Sequence, residues 1–335
     1  MNVFELTRTL VDIDSVTPNE FQIGNFLYDY LRPLAENYGG LVDRSEVEPR
    51  RNNVFARWGD PEIVFSTHMD TVPPFIPSSE DDEFIWGRGA CDTHGIAASM
   101  IKAAEALLEE GVRNLGILFV VGEEVDGIGA THSNRVASGS KYLINGEPTE
   151  NKLALGSKGA LRLDLEAEGK MAHSAYAELG DSAIDKLLDN LESLRRIEWP
   201  VDPVLGPGTC SIGTIEGGRA ANVIPDHAAA AVAIRVVSDL DDAKKLALGA
   251  LDDRVKVTIK TQTPALHLKA VPGFDTTIVK YTTDVPKLTN WGQPLLIGPG
   301  SIHYAHTEGE RIPKQELVEA VGLYQKLVKQ LRTVN

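Results

Sequence analysis

The apolar positions change their period partway along the chain, and that change predicts its organisation. Residues 3–13 place apolar side chains at helical spacing and predict an amphipathic helix. "TPNE" at 17–20 predicts the start of a second, with Thr17 as cap, Pro18 at the first helical position and Glu20 closing a capping box. Short apolar runs at 53–58 and 62–66 predict strands, the second of them buried. "GIAASMIKAAEALLEE" (95–110) predicts a helix that stops near Gly111. Buried strands are expected again at 115–121 and 141–146. Helices alternating with short apolar strands predict an α/β domain on a mostly parallel sheet.

From "GALRLDLEAEG" (159–169) the period drops to two, the pattern of a strand with one solvated face. A helix at 181–196, strands near 209–215 and 228–237, a helix at 239–251 and a strand at 255–261 follow. The order β-α-β-β-α-β predicts a small ferredoxin-like α+β unit. From Phe274 the α/β character resumes, and it closes in a helix at 313–332. The expected organisation is a discontinuous α/β domain, 1–156 with 266–335, interrupted by an inserted domain at 157–265.

Composition narrows the partners. A chain of 335 residues favours two domains over one. A net charge of −15 repels nucleic acid and anionic membranes, so neither is expected as a partner. No apolar run approaches the ~20 residues needed to span a bilayer. The first residues lack the continuous apolar core of a signal peptide. Two cysteines, Cys91 and Cys210, make no disulfide framework, and a cytoplasmic location is expected.

Acid and imidazole collect at the predicted strand ends, where open α/β sheets bind ligands. "FSTHMD" (65–70) carries His68 and Asp70; a metal-bound imidazole usually donates its second N–H to a carboxylate, which Asp70 is placed to supply. "GRGACDTHG" (87–95) surrounds Asp92 with glycines just before a helix, which Asp92 could also simply cap; His94 reads best as a core or solvated histidine. "FVVGEEVDGIGA" (119–130) ends a buried strand in two adjacent carboxylates, Glu123 and Glu124. "NGEPT" (145–149) offers Glu147, and "GPGSIHYAHTEGER" (298–311) offers His303, His306, Glu308 and Glu310, with one histidine expected to ligate. Singly, each has an ordinary reading as a solvated loop. Together, two histidines and three carboxylates suit two zinc or cobalt ions sharing one carboxylate, with one of the paired glutamates binding metal and its neighbour moving protons. The glycine stretches supply neither G-x-x-x-x-G-K-[ST] nor G-x-G-x-x-G in register, which argues against a nucleotide-binding enzyme.

Taken in order, His-x-Asp, Gly-Arg-Gly-x-x-Asp, Glu-Glu, Gly-Glu-Pro, the inserted unit and a late Ala-His resemble the M20 family of metallopeptidases and amidohydrolases over nearly the whole chain. The resemblance implies that His68, Asp92 and Glu147 hold one divalent ion, and Asp92, Glu124 and His306 the other. It implies zinc, or else cobalt, with Asp70 orienting His68 and Glu123 as general base. In the inserted lid, "GKMAHSAY" places His173 at a position that binds the substrate carbonyl oxygen. "GGRAANVIPD" and the strand after it supply Asn222 and Arg235 for substrate binding, the arginine taking a carboxylate. Without the resemblance, His173 reads as a turn cap, Arg235 as half of a structural ion pair and "GGRAAN" as a hairpin.

The expected activity is metal-dependent hydrolysis of the amide of an N-acyl amino acid, as in the acetylornithine and acetyl-lysine deacetylases. A dipeptidase or carboxypeptidase acting on a short peptide is the alternative. A homodimer formed through the lid is also implied. The family's usual lysine and paired glycines after the bridging aspartate are replaced here by "DTHGIA".

Overall fold

A computed structural model describes residues 1–136 and 139–333. The helix Val3–Val11 is capped reciprocally by Asn2 and Glu5 and turns Leu6 and Leu10 inward. The second helix, Phe21–Asn37, does not form the expected capping box. Glu20 stands at its N-cap position without a side-chain cap. Its carboxylate accepts instead from Arg51, at 2.6 and 2.9 Å in a buried pair, while the Thr17 hydroxyl donates to Asp70 at 2.7 Å. A buried guanidinium left without an anion is far costlier than an unmade cap, so the long-range partner wins.

The chain divides into two compact units. The first comprises 1–155, 268–277 and 283–335. Its sheet has six strands in the order Leu41–Glu48, Arg51–Trp58, Leu115–Val120, Ile63–His68, Tyr142–Asn145 and Gln293–Leu296. The last four run parallel; the second is antiparallel to both its neighbours, the first and the third. The sheet is therefore mixed, where the sequence pattern predicts a mostly parallel one. The turn at Pro49 and Arg50 is too short to join anything but antiparallel neighbours. Ile63–His68 and Leu115–Val120 are buried along their whole length, as strands covered on both faces must be. One face packs on Leu107, Tyr324 and Leu327. The other packs on Ala130, Leu288 and Trp291.

The second unit comprises 156–267 and 278–282. Its antiparallel sheet has the order Thr209–Gly217, His227–Val236, Gly159–Glu168, Val255–Thr263. With the helices Ala183–Arg195 and Leu240–Gly249 the elements run β-α-β-β-α-β along the chain. Leu161, Leu163 and Leu165 face the helix residues Leu187, Leu191 and Leu194. The intervening Arg162, Asp164 and Glu166 lie on the open face. Among the described residues, no helix is long and apolar enough to cross a membrane.

Candidate metal centre

Four neighbouring parallel strands of the first unit end at one edge of the sheet, and each hands on to a segment carrying acid or imidazole. His68 is the last residue of its strand. Glu123 and Glu124 follow Leu115–Val120 through Gly122, whose φ of +76° lets the chain turn sharply and accept three successive N–H groups on its carbonyl. Glu147 follows Tyr142–Asn145, and His306 lies beyond Gln293–Leu296. Asp92 comes from the opposite direction, out of an irregular turn at Ala90–His94 that opens the helix Gly95–Glu109. It does not cap that helix: His94 holds the cap position, and no side chain caps there.

These side chains meet. His68 Nε2 lies 3.1 Å from Asp92 Oδ1. His306 Nε2 lies 3.3 Å from Asp92 Oδ2 and 3.0 Å from Glu124 Oε1. Asp92 thus presents one oxygen to each histidine. Ligating atoms of His68, Asp92 and Glu124 fall within 4.8 Å of one another, close enough for a single metal ion. His306 holds φ at +64°, a left-handed conformation that costs a non-glycine residue about 1–3 kcal/mol and persists where surrounding structure enforces it.

Asp70 reaches both strand ends at once. Its backbone carbonyl accepts from His68 Nδ1 at 2.9 Å, which leaves Nε2 facing Asp92. Its carboxylate stands farther from that ring, 3.6 Å from Nδ1. The carboxylate accepts from the N–H groups of Glu123 and Glu124, at 3.1 and 3.2 Å, and from Thr17. Asp70 therefore fixes the imidazole through its main chain and the two-glutamate turn through its side chain.

The electrostatics call for positive charge. Burial, then the neighbouring Asp284, pushes Glu123 well above the usual carboxylate range. Burial, then Glu123, does the same to Glu147. Burial raises Glu124 too, against a lowering hydrogen bond from His306. Burial works against the charged forms of both His68 and Asp92, but the contacts of His68 with Asp70 and Asp92, and those of Asp92 with His306 and His68, outweigh it. Asp92 is held low and His68 high. His306, hydrogen-bonded to Asp92 and Glu124, is raised to about 10. Glu147 Oε1 is buried with no hydrogen-bond partner. Two histidines cannot neutralise four clustered carboxylates, and an orphaned carboxylate oxygen among them fits a site built for divalent cations. The nitrogen and carboxylate donors, with no thiolate, fit zinc or cobalt.

The roles of Glu310, Arg88 and Asp284 escape a reading of the sequence. Glu310 accepts on Oε1 from the N–H groups of Gly89, Cys91 and Asp92, at 2.9, 3.3 and 3.2 Å, and on Oε2 from Arg88 at 2.5 Å. It is 1% exposed and Arg88 2%. This buried pair grips the turn that presents Asp92. Asp284 is fully buried, with both carboxylate oxygens unpartnered, and burial lifts it to about 7. His94 is a core histidine: its Nε2 lies 3.2 Å from both Ser15 Oγ and the Met69 carbonyl, and burial lowers it to about 4, so it is neutral. His303 is exposed, with Glu150 as its charged neighbour.

The remaining sequence-predicted residues belong to the second unit. His173 is exposed and accepts from Ala175 N–H on Nδ1 at 3.1 Å, capping a short turn. The Asn222 carbonyl accepts from Ser174 N–H at 3.0 Å, which places Asn222 beside His173. Arg235 lies half-buried on Val236's strand, opposite Ala160 and Thr209. It makes no hydrogen bond or ion pair to a described residue.

Comparison with known proteins adds the following. Residues 64–330 match Peptidase family M20/M25/M40. A peptidase M20 domain-containing protein of Schizosaccharomyces pombe is 38% identical over 98% of this chain and 84% of its own length. A probable carboxypeptidase of Aspergillus fumigatus is 36% identical over 96% of this chain and 85% of its own. Among solved structures, the aminopeptidase PepT of Bacillus cereus superposes with a TM-score of 0.80 at 20% identity, covering 99% of this chain and 98% of that one. A metallo-carboxypeptidase of the same family from Sulfolobus solfataricus gives 0.77 at 14% identity, covering 98% and 99%.

Proposed function

The chain belongs to the M20 peptidase family, a family of metal-dependent hydrolases, and from that premise we propose that it cleaves the amide bond next to a terminal carboxylate. The substrate in this reading is the last residue of a short peptide. The relatives described as probable carboxypeptidases, similar over nearly the whole chain, favour it. The second reading is an N-acyl amino acid of the acetylornithine or acetyl-lysine kind.

The observation that carries the hydrolytic reading is the gathering of His68, Asp92, Glu124 and His306 around one shared aspartate beside the unpartnered Glu147. His68, Asp92 and Glu147 would hold one divalent ion and Asp92, Glu124 and His306 the other, zinc first and cobalt second. Such a pair acidifies water and polarises a carbonyl. The chain's own residues do the rest. Asp70 keeps His68 and both glutamates in place. Glu123, not engaged with either histidine, takes a proton from the attacking water and passes it to the leaving amine. His173 donates to the carbonyl oxygen as negative charge builds there. Asn222 and Arg235 fix the substrate, the arginine through the terminal carboxylate.

The active form in this reading is a cytoplasmic homodimer joined through the second unit. The strand Thr209–Gly217 is a free sheet edge with Ile215 52% exposed, and the helix beside it exposes Leu188. The test is metal content of the purified protein together with a substrate panel: peptides with a free terminal carboxylate, the same peptides amidated, and acetylated amino acids. About two equivalents of metal and cleavage confined to free carboxylates are expected. A metal-free protein of full activity, or equal cleavage of amidated peptides, would overturn the reading.

A further inference from the structure

One end of the second unit's sheet concentrates positive charge that no acid among the described residues answers, in a chain whose net charge is −15. Arg235 sits directly opposite Ala160 in the antiparallel register, and Arg162 opposite Ala233. Residues two apart on a strand share a face, so Ala160 and Arg162 lie on one face with Arg235 across from Ala160, while Lys158 immediately precedes the strand and feels the charge of Arg235. Diagonal neighbours in such a ladder are roughly 7–8 Å apart, within reach of long side chains. Ala160 is small and 6% exposed. Lys280 joins the three cations, since the Lys158 N–H bonds the carbonyl of Val279 at 3.1 Å.

The usual explanation for such a cluster, an ion-pair network, does not hold here. Arg162 and Arg235 make no hydrogen bond or ion pair to a described residue. Lys158 is 6% exposed, and its ammonium donates only to the carbonyl of Pro207, at 2.6 Å. The next acids along the same face are already matched, Asp164 with Lys260 at 3.2 Å and Glu166 with Lys256 at 3.7 Å. The strand positions opposite Arg235 and Ala160 on the outer strands are Thr209 and Thr263, which are neutral. Burial and then Arg162 pull Arg235 down; burial, then Lys280 and Arg235, pull Lys158 down. A buried cation facing other cations is destabilising unless an anion completes it.

We propose that Lys158, Arg162 and Arg235, with Lys280 at their margin, form a binding site for an anion carrying two carboxylates. One carboxylate engages the Arg235 fork; the second pairs with Lys158 and Arg162. Resting on the function proposed above, this makes the substrate a dicarboxylate: either the terminal residue has an acidic side chain, or the acyl group is a dicarboxylic acid.

Direct binding and kinetics test this separately. Glutarate and butyrate, of similar length but two charges against one, are titrated calorimetrically into the full-length metal-loaded protein. Glutarate is expected to bind at least tenfold tighter, the usual worth of a charge-assisted contact. Arg162→Gln should abolish that preference and the charge-conserving Arg162→Lys should keep most of it; Lys158→Met should weaken it. Equal binding of the two acids, or a preference that survives Arg162→Gln, overturns the site whether or not the protein is a hydrolase. Kinetic arms then compare substrates ending in glutamate with those ending in glutamine, and succinylated with butyrylated amino acids. A tenfold preference in kcat/KM for the charged member of either pair, lost in Arg162→Gln, supports the substrate class and identifies which end carries the second acid. Cleavage without preference overturns the substrate class. Absence of cleavage from every arm counts against the hydrolase reading, and the calorimetry alone then decides the site.

Discussion

Replacing Glu310 with alanine is a severe test of how the Asp92 turn is held. Glu310 touches neither His68 nor His306. It acts by accepting three consecutive-turn N–H groups and pairing with Arg88, both side chains being almost fully buried. Glu310→Ala leaves the Arg88 guanidinium buried without an anion, a loss of about 3–5 kcal/mol. It also strands the Gly89, Cys91 and Asp92 amides. Those terms share one carboxylate and are not additive, so the pair sets the scale. Glu310→Gln keeps one acceptor for the amides but turns an N–H donor toward Arg88, so the guanidinium again lacks an anion and a loss of similar scale, about 3–5 kcal/mol, is expected. Because Asp92 faces both histidines, loosening its turn should also weaken metal binding by about 10–100-fold, the usual result of removing a partner that orients a ligand. Unfolding of the metal-free variants in urea and metal affinity by competition with a chromophoric chelator would measure the two effects. Arg254→Ala breaks an exposed pair with Asp252, 43% and 45% exposed, and serves as reference at about 1 kcal/mol or less. If Glu310→Ala unfolds no more easily than Arg254→Ala and binds metal like the parent, the assigned grip on Asp92 is wrong.

Other expectations follow from the same geometry. Glu123→Ala should retain near-normal metal content and lose turnover by at least ~100-fold; wild-type turnover would remove Glu123 from the base role. His306 titrates near 10 in the metal-free protein, above its ordinary 6.5, so its contribution to stability is complete below about 6.5 and disappears as the pH rises through 10. Metal loading at pH 8 must therefore displace a proton from it, visible as a dependence of the calorimetric heat on the buffer's ionisation enthalpy; no dependence would refute this. Asp284 carries the same sign over a lower pH range. Its folded value of about 7 lies above 3.8, so the folded state holds the proton more tightly and stability falls as the pH rises between those values. Asp284→Asn should stabilise the metal-free protein at pH 8 by up to about 4 kcal/mol, with the advantage gone near pH 4; a pH-independent difference would exclude a titrating Asp284.

The groups that gather around Asp92 are legible in the sequence because each sits where an apolar run stops, and a strand's end is readable from its period. What those groups lean on is not. Glu310 stands four residues after His306, yet nothing local separates it from Glu308; only the fold, which brings it to Arg88 and Gly89, does. Asp284 follows two threonines in a segment with no marked pattern, and its burial comes from elements distant in the chain. Thr17 and Glu20 spell a capping box, but local spelling yields when Asp70 and Arg51 offer better partners. Strand direction is likewise invisible to periodicity, which is why the mixed sheet could not be read from alternation alone.

The first unit is assembled from both sides of the inserted one, and this fixes an order of events at the ribosome. His68, Asp92, Glu123, Glu124 and Glu147 are all translated before the second unit begins at Gly156; His306 and Glu310 come after it. The nascent chain therefore carries a crowd of uncompensated acids and an ungripped Asp92 turn while the intervening hundred-odd residues are still being made. Chaperone contact or early capture of a single cation by the unfinished half would act in that interval, before the last two groups arrive to close the constellation.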